Sequence, residues 1–438
     1  MMKVYRSAVS SLLGGVLTAG VAVVTAAAQN ATEQTASKLT NPDRRIRLEG
    51  LRELRDSNPP DAAIRMAALL TDPIDAIQIE AIATEVNLFL AEKPAARRYR
   101  AGIVEVRNRS GLEAAFDAGP SATGGQAIPP ELVKGLTAAM GDSSGRVRLD
   151  ATYAFGTLVP GVLVRADVAD LKPGIDVLRA ALKDSESQIR RAAARVLGRL
   201  FGAFGGGCTG RCGELGGADV GDALIDAMND RSAGVRAAAM AALGETRNER
   251  AIQALEERFT FHRRGDEAEA ALDALARIGN PASLPLFKSL LKHGDLNVQR
   301  MAMEGVARIG ARELGLELED LPKMSRSEVT MIASAFALHR LGRGRHVDRL
   351  VNAALTPSTA ALARGYLVEL GPSIATDLYP YLIESDSRVR LLAIDLLGEL
   401  GNRSAIERLK PLGADPDAQI AAAARRAIAR LEAGGPPS

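Results

Sequence analysis

The stretch Asp184-Ser-Glu-Ser-Gln-Ile-Arg-Arg-Ala-Ala-Ala-Arg-Val-Leu-Gly198 decides the fold, because the chain repeats it. It returns as Asp230-Arg-Ser-Ala-Gly-Val-Arg-Ala-Ala-Ala-Met-Ala-Ala-Leu-Gly244, and again as Ser385-Asp-Ser-Arg-Val-Arg-Leu-Leu-Ala-Ile-Asp-Leu-Leu-Gly398. An acidic turn is followed by V-R-x-x-A-x-x-x-L-G. Counting the leading aliphatic residue as position 0, apolar residues fall at 0, +4, +8 and +11, one face of an α-helix.

Equivalent positions lie at Ile46, Ile77 (a weaker one), Val147, Ile189, Val235, Glu267, Val298, Thr330, Thr359, Val389 and Ile420. From Val235 onward the spacing stays between 29 and 32 residues. A compact globular domain has no reason to keep such a beat; a stacked array does. Each of these helices follows another amphipathic segment, for example Ile175–Leu182, Ala282–Lys292 and Ala375–Ile383. The unit is a helix, a short Asp/Gly/Ser turn, a second helix, and a glycine stop at +12: Gly279, Gly310, Gly342, Gly371 and Gly401.

The beat breaks in three places. A gap between Ile77 and Val147 leaves room for one degenerate unit plus an insertion near 97–130, ending in the loop-like Gly119–Pro130. Extra segments fall near 160–173 and in the Gly-rich loop 202–221. Insertions in such arrays map to loops, often on a binding face.

The pattern L-x-x-L-x-D…V-R-x-x-A-x-x-x-L-G resembles HEAT repeats, in particular the short type named after phycobilisome lyases, over residues 41–433. The resemblance implies an all-α, armadillo-type fold: a right-handed superhelical solenoid of about eleven helix-turn-helix HEAT-like repeats. It also implies a role for the turn acids and the arginines six residues on, Asp142/Arg148, Asp184/Arg190, Asp230/Arg236 and Glu384/Arg390. In HEAT-like repeats such residues form a hydrogen-bonded ladder between units, to which the fixed fork of Arg donors is suited. For function it implies scaffolds and adaptors as well as a few enzymes.

Composition fits this picture. Of 438 residues, 47% are hydrophobic, 25% charged and only 3% aromatic, with no Trp, so Ala and Leu must fill the interior. Residues 1–28 read as an export signal: Lys3 and Arg6, an apolar stretch from Ala8 to Val24, then Ala26-Ala27-Ala28 before Gln29. The alternative is an uncleaved anchor. Either reading predicts a periplasmic or secreted protein, tethered if the segment is retained, with no membrane span in a cleaved chain. Residues 29–40 read as a linker and 434–438 as a disordered tail. Cleavage takes two of the excess basic residues from a net charge of +2, so nothing marks the chain for nucleic acid.

Candidate chemistry is sparse. Cys208 and Cys212, the only cysteines, predict a disulfide clasping a glycine loop in an exported protein; a redox pair lacks the C-x-x-C spacing, and zinc lacks two further ligands nearby. The four His, at 262, 293, 339 and 346, form none of the paired His-Glu steps of the HEAT-repeat di-iron enzymes. No G-x-S-x-G elbow or G-K-[ST] phosphate loop is present. No metal or cofactor is implied.

One row stands out. Position +10 is charged in eight successive units: Arg199, Glu245, Arg277, Arg308, Arg340, Glu369, Glu399 and Arg430. It is expected toward the exposed side, where it either solvates the array or lets Arg277, Arg308 and Arg340 hold an acidic partner segment. His339, at +9 where the units of Val147, Ile189, Val235 and Val389 hold Gly, is either a half-exposed helix residue or a groove contact. The sequence therefore predicts a non-catalytic scaffold binding protein or peptide on a concave surface. Its competitors are a lyase-like enzyme subunit and a tethered envelope protein.

Overall fold

The structure, a computed structural model, describes residues 35, 37–57, 61–90, 111–119, 128–161, 167–204, 210–262, 264–325 and 327–432. The expected signal 1–28, the linker as far as residue 34, Cys208 and the tail 434–438 lie outside them.

Apolar residues spaced at three and four make helices, and the turn acids begin them. Asp295, for instance, accepts from the N–H groups of Asn297 and Val298, two donors that the helix itself leaves unpaired. In chain order, α1 (Arg44–Ser57) opens the array and α2 (Ala62–Met66) pairs with α3 (Asp75–Phe89). A separate short helix, α4 (Gly111–Asp117), follows. The pairs resume as α5 (Pro130–Ala139) with α6 (Gly145–Leu158) and α7 (Val168–Ala181) with α8 (Ser187–Gly202). After the turn α9 (Arg211–Glu214) come α10 (Gly217–Ala227) with α11 (Ala233–Glu245) and α12 (Ile252–His262) with α13 (Asp266–Ile278). Then α14 (Leu284–Leu290) pairs with α15 (Leu296–Ile309), and α16 (Gly315–Ser325) with α17 (Glu328–Arg340). The last pairs are α18 (Val347–Ala354) with α19 (Ala360–Leu370), α20 (Ala375–Leu378) with α21 (Ser387–Leu400), and α22 (Ile406–Leu409) with α23 (Ala418–Glu432).

Helix α1 and the ten second helices carry the eleven repeat positions read from the sequence, Thr359 as the N-cap of α19, and the molecule is an all-α solenoid. Second helices pack directly on their successors, while most first helices stand further apart, so the second helices form the inner layer of a curved array. Position +9 sets their approach. A Cβ on Gly198 would stand 2.8 Å from the Cα of Ala242, and one on Gly244 2.9 Å from the Cα of Ala274, so only glycine fits. His339 and Val368 fill this position in α17 and α19, and there the inner layer opens: α17, α19 and α21 make far fewer mutual contacts. The core is continuous along the array and built of Leu and Ala, with +8 residues such as Leu54, Leu197, Leu243 and Leu397 buried. Burying each Leu contributes roughly 1.5–3 kcal/mol.

Gly279, Gly310 and Gly401 cap their helices in the left-handed conformation, at φ 63°, 82° and 72°. That is the role expected of the +12 glycines.

The segment between α3 and α5 differs from expectation. No further unit stands between α3 and α6 in the stack, because α3 packs directly on α6 and Gln78 Nε2 donates to Asp142 Oδ2 at 2.9 Å. Its described part, α4, lies instead across the inner faces of α6 and α8. Near 160–173 the outer helix begins earlier than the pattern suggested. Asp167 caps α7 by accepting from Ala169 N, and Pro173 sits within that helix.

Candidate functional site

Two polar systems run along the array, one at the turn edge and one on the inner face. At the turn edge each arginine reaches forward, to the carboxylate of the next unit. Arg148 binds Asp184 through Nε (2.9 Å) and Nη2 (3.1 Å), and Arg190 binds Asp230 at 2.7 and 2.9 Å. The third nitrogen donates to the carbonyls of the arginine's own turn, Asp142 and Ser143 or Asp184 and Ser185. Arg47 and Asp72 make the same rung at the start of the array. Hydrogen bonds from Arg190 hold the Asp230 carboxyl below the usual range, outweighing the opposing effect of burial.

Two rungs depart from the sequence pattern. Glu267 stands at position 0, where other units place an aliphatic residue or threonine. Its carboxylate accepts from Arg236 and Arg258 and meets His262 Nε2 at 3.1 Å. It replaces the turn acid because His262 occupies the acid's usual place. At the far end, Arg390 takes the carbonyls of Glu384 and Ser385 but no carboxylate, and its buried Nε is unpartnered.

On the inner face, charged residues at +6 and +10 of several second helices meet one another. Of the +10 row expected toward the exposed side, Glu245 and Arg277 are exposed, but Arg308 is not. Arg308 is nearly buried: it makes a bidentate pair with Glu369, both bonds at 2.8 Å, and donates to Glu304 at 3.1 Å. Burial opposes its charge, but these carboxylates raise its pKa overall. Arg340 approaches the same Glu369 at 3.7 Å, Arg277 pairs with Asp273 of its own helix at 2.7 Å, and Glu399 takes Arg364 at 2.7 Å. Charges that look solvent-facing in the sequence neutralise one another, within one helix or between units. His339 is half-buried, with the N–H of His346 3.5 Å from its Nδ1, and burial lowers its pKa.

A basic cluster beside a groove is one the periodic reading did not single out. Arg191, Arg195 and Arg199 fill +2, +6 and +10 of α8, the only unit with three arginines in that column. They face α4. Arg191 and Arg195 donate to Glu113 Oε1 at 2.9 and 3.0 Å, and Arg195 also pairs with Asp117. Arg199 donates to the Phe116 carbonyl and lies 3.4 Å from the centre of its ring; burial lowers its pKa to about 10. Beside Phe116 a cleft of about 360 Å³ runs onto α11, floored by Ala237, Ala238, Ala241 and Ala242 and ended by Glu245. The three-arginine column was visible in Arg191–Arg199; its acidic counterpart in the insertion was not, since nothing in the spacing puts α4 on α8.

Cys212 is buried and disulfide-bonded. Among the described residues no group of three or more His, Cys, Asp or Glu could hold a metal ion. No described helix is long and apolar enough to cross a membrane.

This geometry defines a class, the α-solenoid repeat proteins. More particularly, residues 175–265 match the family model described as HEAT repeats. No curated protein matches the chain. Among solved structures, the chain is similar to an engineered protein from a structural genomics consortium, at 18% identity and a TM-score of 0.40, over 92% of this chain and 99% of that one. It is also similar to a designed armadillo repeat protein in complex with the peptide (KR)4, at 15% identity and a TM-score of 0.35, over 63% of this chain and 98% of that one.

Proposed function

We propose that this protein is a non-catalytic adaptor that binds a protein or peptide segment along the inner face of its solenoid. The observation that carries this reading is the groove over α6, α8 and α11: an arginine column beside an alanine floor, with a helix already lying in part of it. Apolar floor supplies area, and the arginine forks supply orientation and charge selection. The recurring L-G pattern supports assigning the units to the short HEAT-like type similar to phycobilisome lyases. The N-terminal basic and apolar segment supports export, to the periplasm or beyond the cell.

The test is a photo-crosslinking amino acid placed at Ala241, on the groove floor, and separately at Gln253, on the exposed face of outer helix α12. Cells expressing each form are irradiated and the adducts identified by mass. The adaptor reading expects one protein adduct from position 241 that is absent from position 253 and lost when Arg195→Glu is added. Equal labelling at both positions, or none at 241, would refute it.

A further inference from the structure

We infer that α4 is an in-chain occupant of the partner site, displaced by a partner helix that presents a carboxylate, an aromatic residue three positions on, and a second carboxylate next to it. This rests on the adaptor reading and names the partner's chemistry.

Helix α4, Gly-Leu-Glu-Ala-Ala-Phe-Asp over residues 111–117, belongs to no repeat. Its contacts are those of a bound ligand. Leu112, Glu113, Ala115 and Phe116 are buried against the inner layer. Phe116 is the anchor: its ring packs on Tyr153 with centroids 5.5 Å apart, between the guanidinium groups of Arg195 and Arg199. Gly156 makes the space, since a Cβ there would stand 2.9 Å from Phe116 Cε2. Glu113 and Asp117 sit on either side of the ring in sequence, and both meet the arginines of α8. The C-terminal carbonyl end of the helix faces Arg199, the favourable sense for a helix dipole.

Three features make α4 replaceable. A seven-residue helix is not stable by itself, so the groove imposes its form. The stack does not depend on it, because α3, α6 and α8 pack on one another without it. The cleft next to Phe116 continues over the alanines of α11, so a longer partner helix would gain contacts that α4 cannot make. Tethering gives α4 an effective concentration of order millimolar, which a partner must overcome. The groove is thereby shielded from weak acidic ligands.

The test uses the full chain and a dye-labelled peptide copying residues 109–119, followed by fluorescence anisotropy. Phe116→Ala in the protein removes the anchor and is expected to strengthen peptide binding at least tenfold over the unsubstituted chain. Adding Arg195→Glu, or replacing the peptide's phenylalanine with alanine, should abolish the gain. Glu113→Gln with Asp117→Asn is the second release variant and should give a gain of the same sign. Thermal melting of each variant is recorded. Peptide binding unchanged in folded release variants overturns the inference, and so does loss of the folded array in both, because α4 would then be part of the core. Inner-face crosslinking at Ala241 with no peptide exchange sinks this inference alone; absence of that crosslinking sinks the adaptor reading itself.

Discussion

Glu85 occupies the +8 position of α3, which every other unit fills with Leu, Ile, Val or Phe. It is fully buried, neither carboxylate oxygen has a hydrogen-bond partner, and burial pushes its pKa up to about 9. An unfolded glutamate titrates near 4.5. Below that value both states are protonated and the side chain causes no pH dependence. Between 4.5 and about 9 the unfolded state is ionised while the folded state keeps its proton, so stability falls as pH rises through this window. Each pH unit is worth about 1.4 kcal/mol, giving a deficit on the order of 3 kcal/mol at pH 7. Glu85→Leu restores the apolar pattern and should remove that deficit. The assay is native-state hydrogen exchange of α1 to α3 at several values between pH 5 and 8, in both proteins. The substituted chain is expected to be more protected at pH 7, and the difference should shrink toward pH 5. Equal stability, or a difference that does not change with pH, would mean that Glu85 is not held neutral and would refute the reasoning.

Three further outcomes are expected. Arg190→Ala leaves the buried carboxylate of Asp230 and two turn carbonyls without their donor and should cost about 3–5 kcal/mol, seen as a lower urea midpoint. Because Asp230 has a depressed pKa, its contribution is present above its unfolded value near 3.8 and is lost as pH falls through the folded value; acid unfolding of the variant should begin at higher pH. Gly244→Ala gains about 1 kcal/mol of helix propensity, but its Cβ would press on the Ala274 backbone, so a net loss of about 1–3 kcal/mol is expected in thermal melts. Arg308→Ala should destabilise by about 3–5 kcal/mol, while Arg277→Ala, on a half-exposed pair within one helix, should change stability by less than about 1 kcal/mol.

The sequence by itself determined the repeat. A period near 31 residues, apolar positions at 0, +4, +8 and +11, and the glycines that several units place at +9 or +12 are local requirements, restated along the chain. That redundancy makes the helices, their pairing and the stops legible without coordinates. It also makes the exceptions stand out, as Glu85 and Glu267 do. What only the tertiary structure decided involves different units at once. Folding brings residues two units apart within hydrogen-bond reach on the inner face, so Arg308 is spent on Glu369 instead of facing a partner. The rungs run from one unit's arginine to the next unit's acid, a direction that spacing within a unit cannot give. The place of α4 depends on long-range complementarity between one insertion and one helix. Each occurs once in the chain, so no repetition announces it, and only the folded groove brings them together.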